Sequence, residues 1–168
     1  HSTIVYSYER GIYVSNASPD INDNTIKNNL QSGIYIEGLD SLKTLSMSNN
    51  VFSNNSWAVA AYLTDETADI TLTNNTSTGA DPNGFGRNGF GIWGSIAGTN
   101  TYTGQNNFPF IVWDDVTVSK NASLTFTPGT TVKFNDYWDG ITVYGTLQAI
   151  GTETDSIAFT SLYDDAHG

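Results

Sequence analysis

The sequence predicts an all-β solenoid of about seven coils, each coil a set of short strands lying parallel on the next. Three observations predict it. First, a pattern is restated: Thr3-Ile4 and Gly11-Ile-Tyr-Val14 return as Thr25-Ile26 and Gly33-Ile-Tyr-Ile36, 22 residues later. Second, an asparagine recurs at Asn24, Asn50, Asn75 and Asn100, at spacings of 26, 25 and 25 residues. Third, the apolar runs are short, β-branched or aromatic and alternate with period two. Asn, Ser and Gly clusters divide them, and no helix-length apolar stripe occurs.

The elements follow in order. Residues 2–65 read as two to three regular coils, with Ile4, Ile12, Val14, Ile21, Ile26, Ile34, Ile36, Met47, Phe52, Val59 and Leu63 facing inward. Asp69-Ile-Thr-Leu-Thr-Asn74 is a further strand. The four spaced asparagines are expected to stack into a ladder. Asn tolerates the left-handed backbone of a sharp bend, and stacked amides hydrogen-bond along the axis. The period then breaks at a Gly-rich insertion, 79–91, that carries Phe85, Arg87 and Phe90, with Trp93 next to it. Insertions in solenoids form loops on one face, often the binding face. Here the insertion reads either as cover for the solenoid side or as an aromatic sugar-binding platform, with Phe85, Phe90, Trp93 and Trp138 as candidate glycan contacts. Residues 99–113 resume a coil, with Pro109 near a strand start, where its missing N–H is tolerated. From Asp114 onward, strands near Leu124, Ile141 and Ile157 are spaced 17 and 16 residues apart, which predicts tighter coils over 114–168. The whole of 1–168 reads as one domain.

Composition limits function. The chain has 168 residues, no cysteine, and 6 Lys and Arg against 17 Asp and Glu, a net charge of −11. That balance argues against nucleic acid and anionic membranes as partners. No apolar run approaches the roughly 20 residues of a membrane span. A surface that is polar but sparsely charged suits an extracellular, cell-surface protein. Asn16, Asn54, Asn74, Asn75 and Asn121 each begin an Asn-x-Ser/Thr acceptor for glycosylation.

The second half carries a resemblance. The runs Val116-Thr-Val118, Ala122-Ser-Leu-Thr-Phe-Thr-Pro-Gly-Thr-Thr-Val-Lys-Phe134, Gly140-Ile-Thr-Val-Tyr-Gly-Thr-Leu-Gln-Ala-Ile-Gly-Thr152 and Ile157-Ala-Phe-Thr-Ser-Leu-Tyr-Asp-Asp165 closely resemble the opening coils of right-handed parallel β-helix modules in large prokaryotic surface proteins. Residues 2–60 resemble later coils of such modules. The resemblance implies a right-handed parallel β-helix and one phase of a tandem array, whose end would feed into another copy of its beginning. It implies little about activity, because fold does not fix function.

Enzymes on the same fold set a test. Polygalacturonases combine Asn-x-Asp, Asp-Asp, Gly-His-Gly and Arg-x-Lys. This chain has Asp114-Asp115 and Asp164-Asp165 but neither of the last two motifs. Pectate lyases hold calcium on carboxylates beside a basic residue, and none of the six basic residues stands in such a motif. Asp136 and Asp139 could approach Asp114, but an acidic corner reads first as solvated loop. The expectation is therefore a non-enzyme with no required cofactor. Calcium is a candidate ligand of Asp164 and Asp165, through hard oxygen donors. The expected partners are neighbouring copies of the module. The primary reading is a structural module of a filament, sheath, surface layer or stalk. The alternatives are an adhesin or carbohydrate-binding rod and, behind it, a polysaccharide lyase or hydrolase.

Overall fold

A computed structural model describes all residues except 40–42, 65–67, 79–86, 106 and 165–168. Among the described residues every regular element is a strand and every pairing is parallel. The first coil holds β1 (Thr3–Val5), β2 (Arg10–Ser15) and β3 (Asp20–Asn22). The second holds β4 (Thr25–Lys27), β5 (Ser32–Leu39) and β6 (Lys43–Ser48). The third holds β7 (Val51–Ser53), β8 (Trp57–Leu63) and β9 (Ala68–Thr73). The fourth holds β10 (Thr76–Ser77), β11 (Phe90–Ile96) and β12 (Thr99–Tyr102). The fifth has β13 (Phe110–Val118) and β14 (Ser123–Phe126). The sixth has β15 (Thr131–Phe134), β16 (Ile141–Val143) and β17 (Thr146–Ala149), and β18 (Ala158–Ser161) begins a seventh. Three sheets run along the axis: β1-β4-β7-β10, the longest from β2 to β18, and β3-β6-β9-β12-β14-β17. The chain is a parallel β-solenoid.

The register explains the core. Each sheet lines up inward columns, the longest being Ile12, Ile34, Val59, Phe90, Phe110, Val132 and Phe159. In the first sheet Ile4, Ile26, Phe52 and Ser77 share one column. That sheet ends at β10, and Phe108 continues the core by stacking on Phe52 at 5.5 Å. Its carbonyl is held by the buried Tyr102 hydroxyl, which donates to it at 2.6 Å, and burial pushes the Tyr102 phenol well above its ordinary pKa. Of the expected inward residues, Ile4 and Ile12 are half-buried at one end and the others are buried.

The expected tighter coils over 114–168 do not form. Leu124, Ile141 and Ile157 are not successive rungs of one sheet. Leu124 pairs with Leu147, Val116 with Ile141 and Val132 with Phe159, so each turn takes 23–27 residues. What changes is the cross-section. The long β13 bends at the exposed Asp114-Asp115, its first half pairing with β15 and its second with β16. One sheet thus divides into two walls where the β1-β4-β7-β10 wall is lost.

The asparagine ladder has a division of labour that the spacing alone merges. The bend residue and the ladder residue are neighbours, not one residue. Asp23, Asn49 and Asn74 take positive φ of 59, 56 and 54°, and the amides that stack belong to the next residues, Asn24, Asn50 and Asn75. Asn24 Nδ2 donates to Asn50 Oδ1 at 3.2 Å, and Asn50 Nδ2 to Asn75 Oδ1 at 2.9 Å. The backbone N–H of each also donates to the next Oδ1, at 3.1 and 3.2 Å. Asn100 is a correction. It lies in β12 on an inward column between Ile70 and Leu124, where its Oδ1 accepts the Ile70 N–H at 3.1 Å. The fourth rung is Gln105, whose Oε1 accepts both the N–H and Nδ2 of Asn75 at 2.6 and 3.0 Å. A second ladder follows the same rule: Asn28 and Asn54 bend, with φ of 57 and 52°, and Asn29 donates to Asn55 Oδ1 through N and Nδ2 at 3.1 and 2.9 Å. These two amide columns flank the short β1-β4-β7-β10 wall, at its two corners. They pair buried backbone groups that three-residue strands cannot pair among themselves.

Candidate functional site

The outer face of the longest sheet carries the most chemically distinctive surface. One outward row runs Tyr13, Tyr35, Ala60 and Gly91; the next runs Ser15, Glu37, Tyr62 and Trp93. The first row changes from rings to a methyl and then to nothing, so the surface sinks between ring-bearing walls. Trp57 fills part of the depression. Its indole lies where a Cβ on Gly91 would stand 2.2 Å from the ring, so only glycine seats it there. Trp113 meets Trp57 edge-on, with centroids 4.4 Å apart at 84°. The result is a cleft of about 360 Å³ over Ala60, walled by Tyr35, Trp57, Trp93 and Trp113.

Both arginines of the chain lie on this face, each over rings. The Arg87 guanidinium is 4.3 Å from the Trp113 centroid and 5.0 Å from that of Trp57. The Arg10 guanidinium is 4.2 Å from Tyr35 and 5.0 Å from Tyr13. Such contacts fix the cation and the ring together. Tyr35 in turn meets Trp93 at 6.2 Å, and Trp93 meets Tyr62 at 5.7 Å. Ser32 also lines the cleft, and its hydroxyl is buried with no hydrogen-bond partner among the described residues.

Of the described aromatics expected to contact glycan, Trp93 alone lines this cleft. Phe90 points into the core, 1% exposed, against Phe110 and Tyr102, so that assignment is withdrawn: it is an inward rung, two residues before the bend in register. Trp138 is 76% exposed on the turn between β15 and β16, paired with Tyr137 at 4.6 Å, away from the cleft lining. Phe85 lies outside the described residues. Trp57, Trp113 and Tyr35 are site residues that sequence reasoning missed. The available signals were Gly91 within an alternating run and the two arginines set among aromatics.

The other candidates separate cleanly. Asn16, Asn54, Asn74 and Asn121 are exposed bend residues with positive φ, open to modification. Asn75 is fully buried with its amide donating to Gln105 and to the Met47 carbonyl, so the folded chain cannot present it as an acceptor. Asp164 is engaged within the chain. The Lys133 ammonium donates to the Asp164 carbonyl at 2.9 Å, and the Asp164 carboxylate accepts from Thr160 at 2.6 Å. Among the described residues no group of three or more His, Cys, Asp or Glu side chains converges. Asp165 lies outside the described residues.

Asp136 and Asp139 share one turn, where the Asp136 N–H donates to Asp139 Oδ2 at 2.9 Å, and the charge of Asp114 reaches Asp139. Burial pushes the Asp139 carboxyl above its ordinary value. The charges of Asp114 and Asp136 add to the shift, against hydrogen bonds from the Asp136 backbone and Asn135. A folded-state value above the unfolded one means that ionised Asp139 costs stability above its folded pKa, and that the cost disappears as pH falls through it. Asp139→Asn is therefore expected to raise the melting temperature slightly at pH 7, with the gain vanishing below about pH 4, where the unfolded carboxyl is protonated too. Thermal melts of both chains across pH 3–8 test this.

Residues 1–77 match the family model described as the right handed beta helix region. Neither a comparison with curated proteins nor one with solved structures yields a match. No helix among the described residues is long and apolar enough to cross a membrane.

Proposed function

From a parallel β-solenoid whose first 77 residues match the right-handed β-helix model, we propose a structural repeat module of an extracellular surface protein, stacked end to end with copies of itself. One observation carries the reading: in the longest sheet the inward column spans the described coils and closes on an apolar side chain in its first and last strands, Ile12 and Phe159. At one end Ile4 and Ile12 are half-buried, over the open edges of β1, β2 and β3. At the other, Phe159 is 48% and Leu147 36% exposed, over the open edges of β17 and β18. Phe159 and Ile12 close the same column, so a second copy placing Ile12 on Phe159 would extend it. An open sheet edge with an apolar column behind it invites a further strand.

Solenoid stability is a sum of rung and interface contributions, which supplies the test. Two copies joined head to tail in one chain are expected to melt as one cooperative unit, several degrees above the single copy. Phe159→Asp in the first copy is expected to remove that gain. Two copies that melt independently at the single-copy temperature would sink the proposal. The cleft's described lining contains rings, hydroxyls, an amide and a guanidinium but no carboxylate pair. Glycoside hydrolysis needs such a pair, which supports a non-catalytic reading of this face.

A further inference from the structure

We propose that the cleft over Ala60 is a non-catalytic saccharide-binding site. The lining has the mixture that sugars require. Ring edges and faces from Tyr35, Trp57, Trp93 and Trp113 offer apolar contact for C–H faces. Gln31, exposed in the lining, and Arg87 at its border supply the amide and guanidinium groups that hydrogen-bond sugar hydroxyls. The volume, about 360 Å³, falls within the ~300–1,000 Å³ of small-molecule sites.

Ring geometry selects against flat ligands. The neighbouring rings are inclined to one another: Trp57 to Trp113 by 84°, Tyr35 to Trp93 by 52° and Tyr62 to Trp93 by 32°. A planar base needs an open parallel face on which to stack, whereas inclined rings cradle a puckered one. A chain of net charge −11 is also unsuited to a polyphosphate backbone. Within that negative field, both arginines stand on this one face. Arg87 borders the cleft, and Arg10 stacks behind Tyr35. Guanidinium N–H groups serve sugar hydroxyls and anionic sugar substituents alike.

The site is independent of end-to-end stacking. It occupies the side of the rod, so either proposal can fail without the other. Arg87 lies over Trp57 and Trp113 at the cleft border.

The test is affinity electrophoresis of the full chain in gels containing dextran, galactomannan, alginate or dextran sulfate. Retention is expected in at least one gel, and the gel identifies a neutral, carboxylated or sulfated sugar as the source. Trp93→Ala is expected to weaken that retention about tenfold with the melting temperature unchanged. The unmodified protein is expected to show a saturable change in tryptophan fluorescence with the retained polymer. The fluorescence titration decides the matter if Trp93→Ala lowers the melting temperature. No retention in any gel, retention unchanged by Trp93→Ala, retention in dextran sulfate that Trp93→Ala leaves intact as simple ion exchange does, or no fluorescence change overturns the proposal.

Discussion

Asn50→Asp is expected to be the most damaging single-atom change in the chain at neutral pH, worse than Asn50→Ala. Asn50 is fully buried and makes four ladder contacts through one amide. Its Oδ1 accepts from the N–H and Nδ2 of Asn24 at 3.1 and 3.2 Å. Its Nδ2 donates to the Ile21 carbonyl at 2.6 Å and to Asn75 Oδ1 at 2.9 Å. Alanine removes the acceptor of the part-buried Asn24 N–H and a donor to the Ile21 carbonyl, while Asn24 Nδ2 keeps the Asn22 carbonyl and Asn75 Oδ1 keeps the residue 50 N–H, a loss of about 2–4 kcal/mol on the usual cost of orphaned groups. Aspartate restores the acceptor but turns the donor into a second oxygen, which faces two oxygens at the 2.6 and 2.9 Å of the lost bonds. A carboxylate so placed has its folded pKa raised above the unfolded value of about 3.9. The penalty is present above the folded pKa and is relieved as pH falls through it, because the protonated acid can donate once. Urea unfolding at pH 7 and pH 4 checks this. The aspartate variant should be the less stable of the two at pH 7 and should overtake alanine on acidification. A pH-independent gap between the variants would remove the ladder from the account of stability.

The ladder also shows what the sequence made readable. Asn-Asn pairs at 25- and 26-residue spacing announced both the bend and the stack, because a left-handed residue and a stacking amide are local demands that Asn meets cheaply. The period could not say which of the two neighbours did which. Nor could it see that Asn100, in step with Asn75, had moved into a β-strand column while Gln105 took its place. An insertion had shifted the count, and a longer amide can reach where a shorter one no longer stands. The inward positions from Val14 to Leu63 were legible because alternation in a half-buried strand leaves little choice. The division of β13 was not, since nothing local distinguishes a strand paired on one side from a strand that serves two walls. The cleft was the least legible part. Trp57, Trp93 and Trp113 are far apart in sequence and line one cleft only because consecutive coils stack, and Gly91 signals a close approach within its alternating run without telling that Trp57 is what it admits.

Phe52→Ala is the second large expected effect, and its coupling to Gly33 is the sharper measurement. Phe52 is fully buried between Ile26 and Ser77 and stacks on Phe108. Truncating it in so narrow a core should cost about 3–5 kcal/mol, as transfer and cavity terms together. Gly33 heads the recurring Gly-Ile-Tyr signature, yet its backbone is not in the left-handed region; the reason for glycine is space. A Cβ there would lie 2.8 Å from the Ala58 carbonyl oxygen, 3.0 Å from Ile26 Cγ2 and 3.1 Å from Phe52 Cδ1. Gly33→Ala alone should therefore cost about 1–3 kcal/mol by overpacking. In the double variant the Phe52 ring is gone and one of the three clashes with it, while the Ala58 backbone still resists. The combined loss is expected to fall short of the sum of the single losses by at least about 0.5 kcal/mol, a coupling typical of residues in contact. Gly38 provides the contrast. Its φ is +64°, and a Cβ added to it would meet nothing within 4 Å, so Gly38→Ala should cost about 1 kcal/mol from backbone strain and add to Phe52→Ala without coupling. Urea midpoints for the two double variants and their three singles measure both cycles. Equal additivity in the two would mean that crowding around the Phe52 ring is not what keeps Gly33 a glycine.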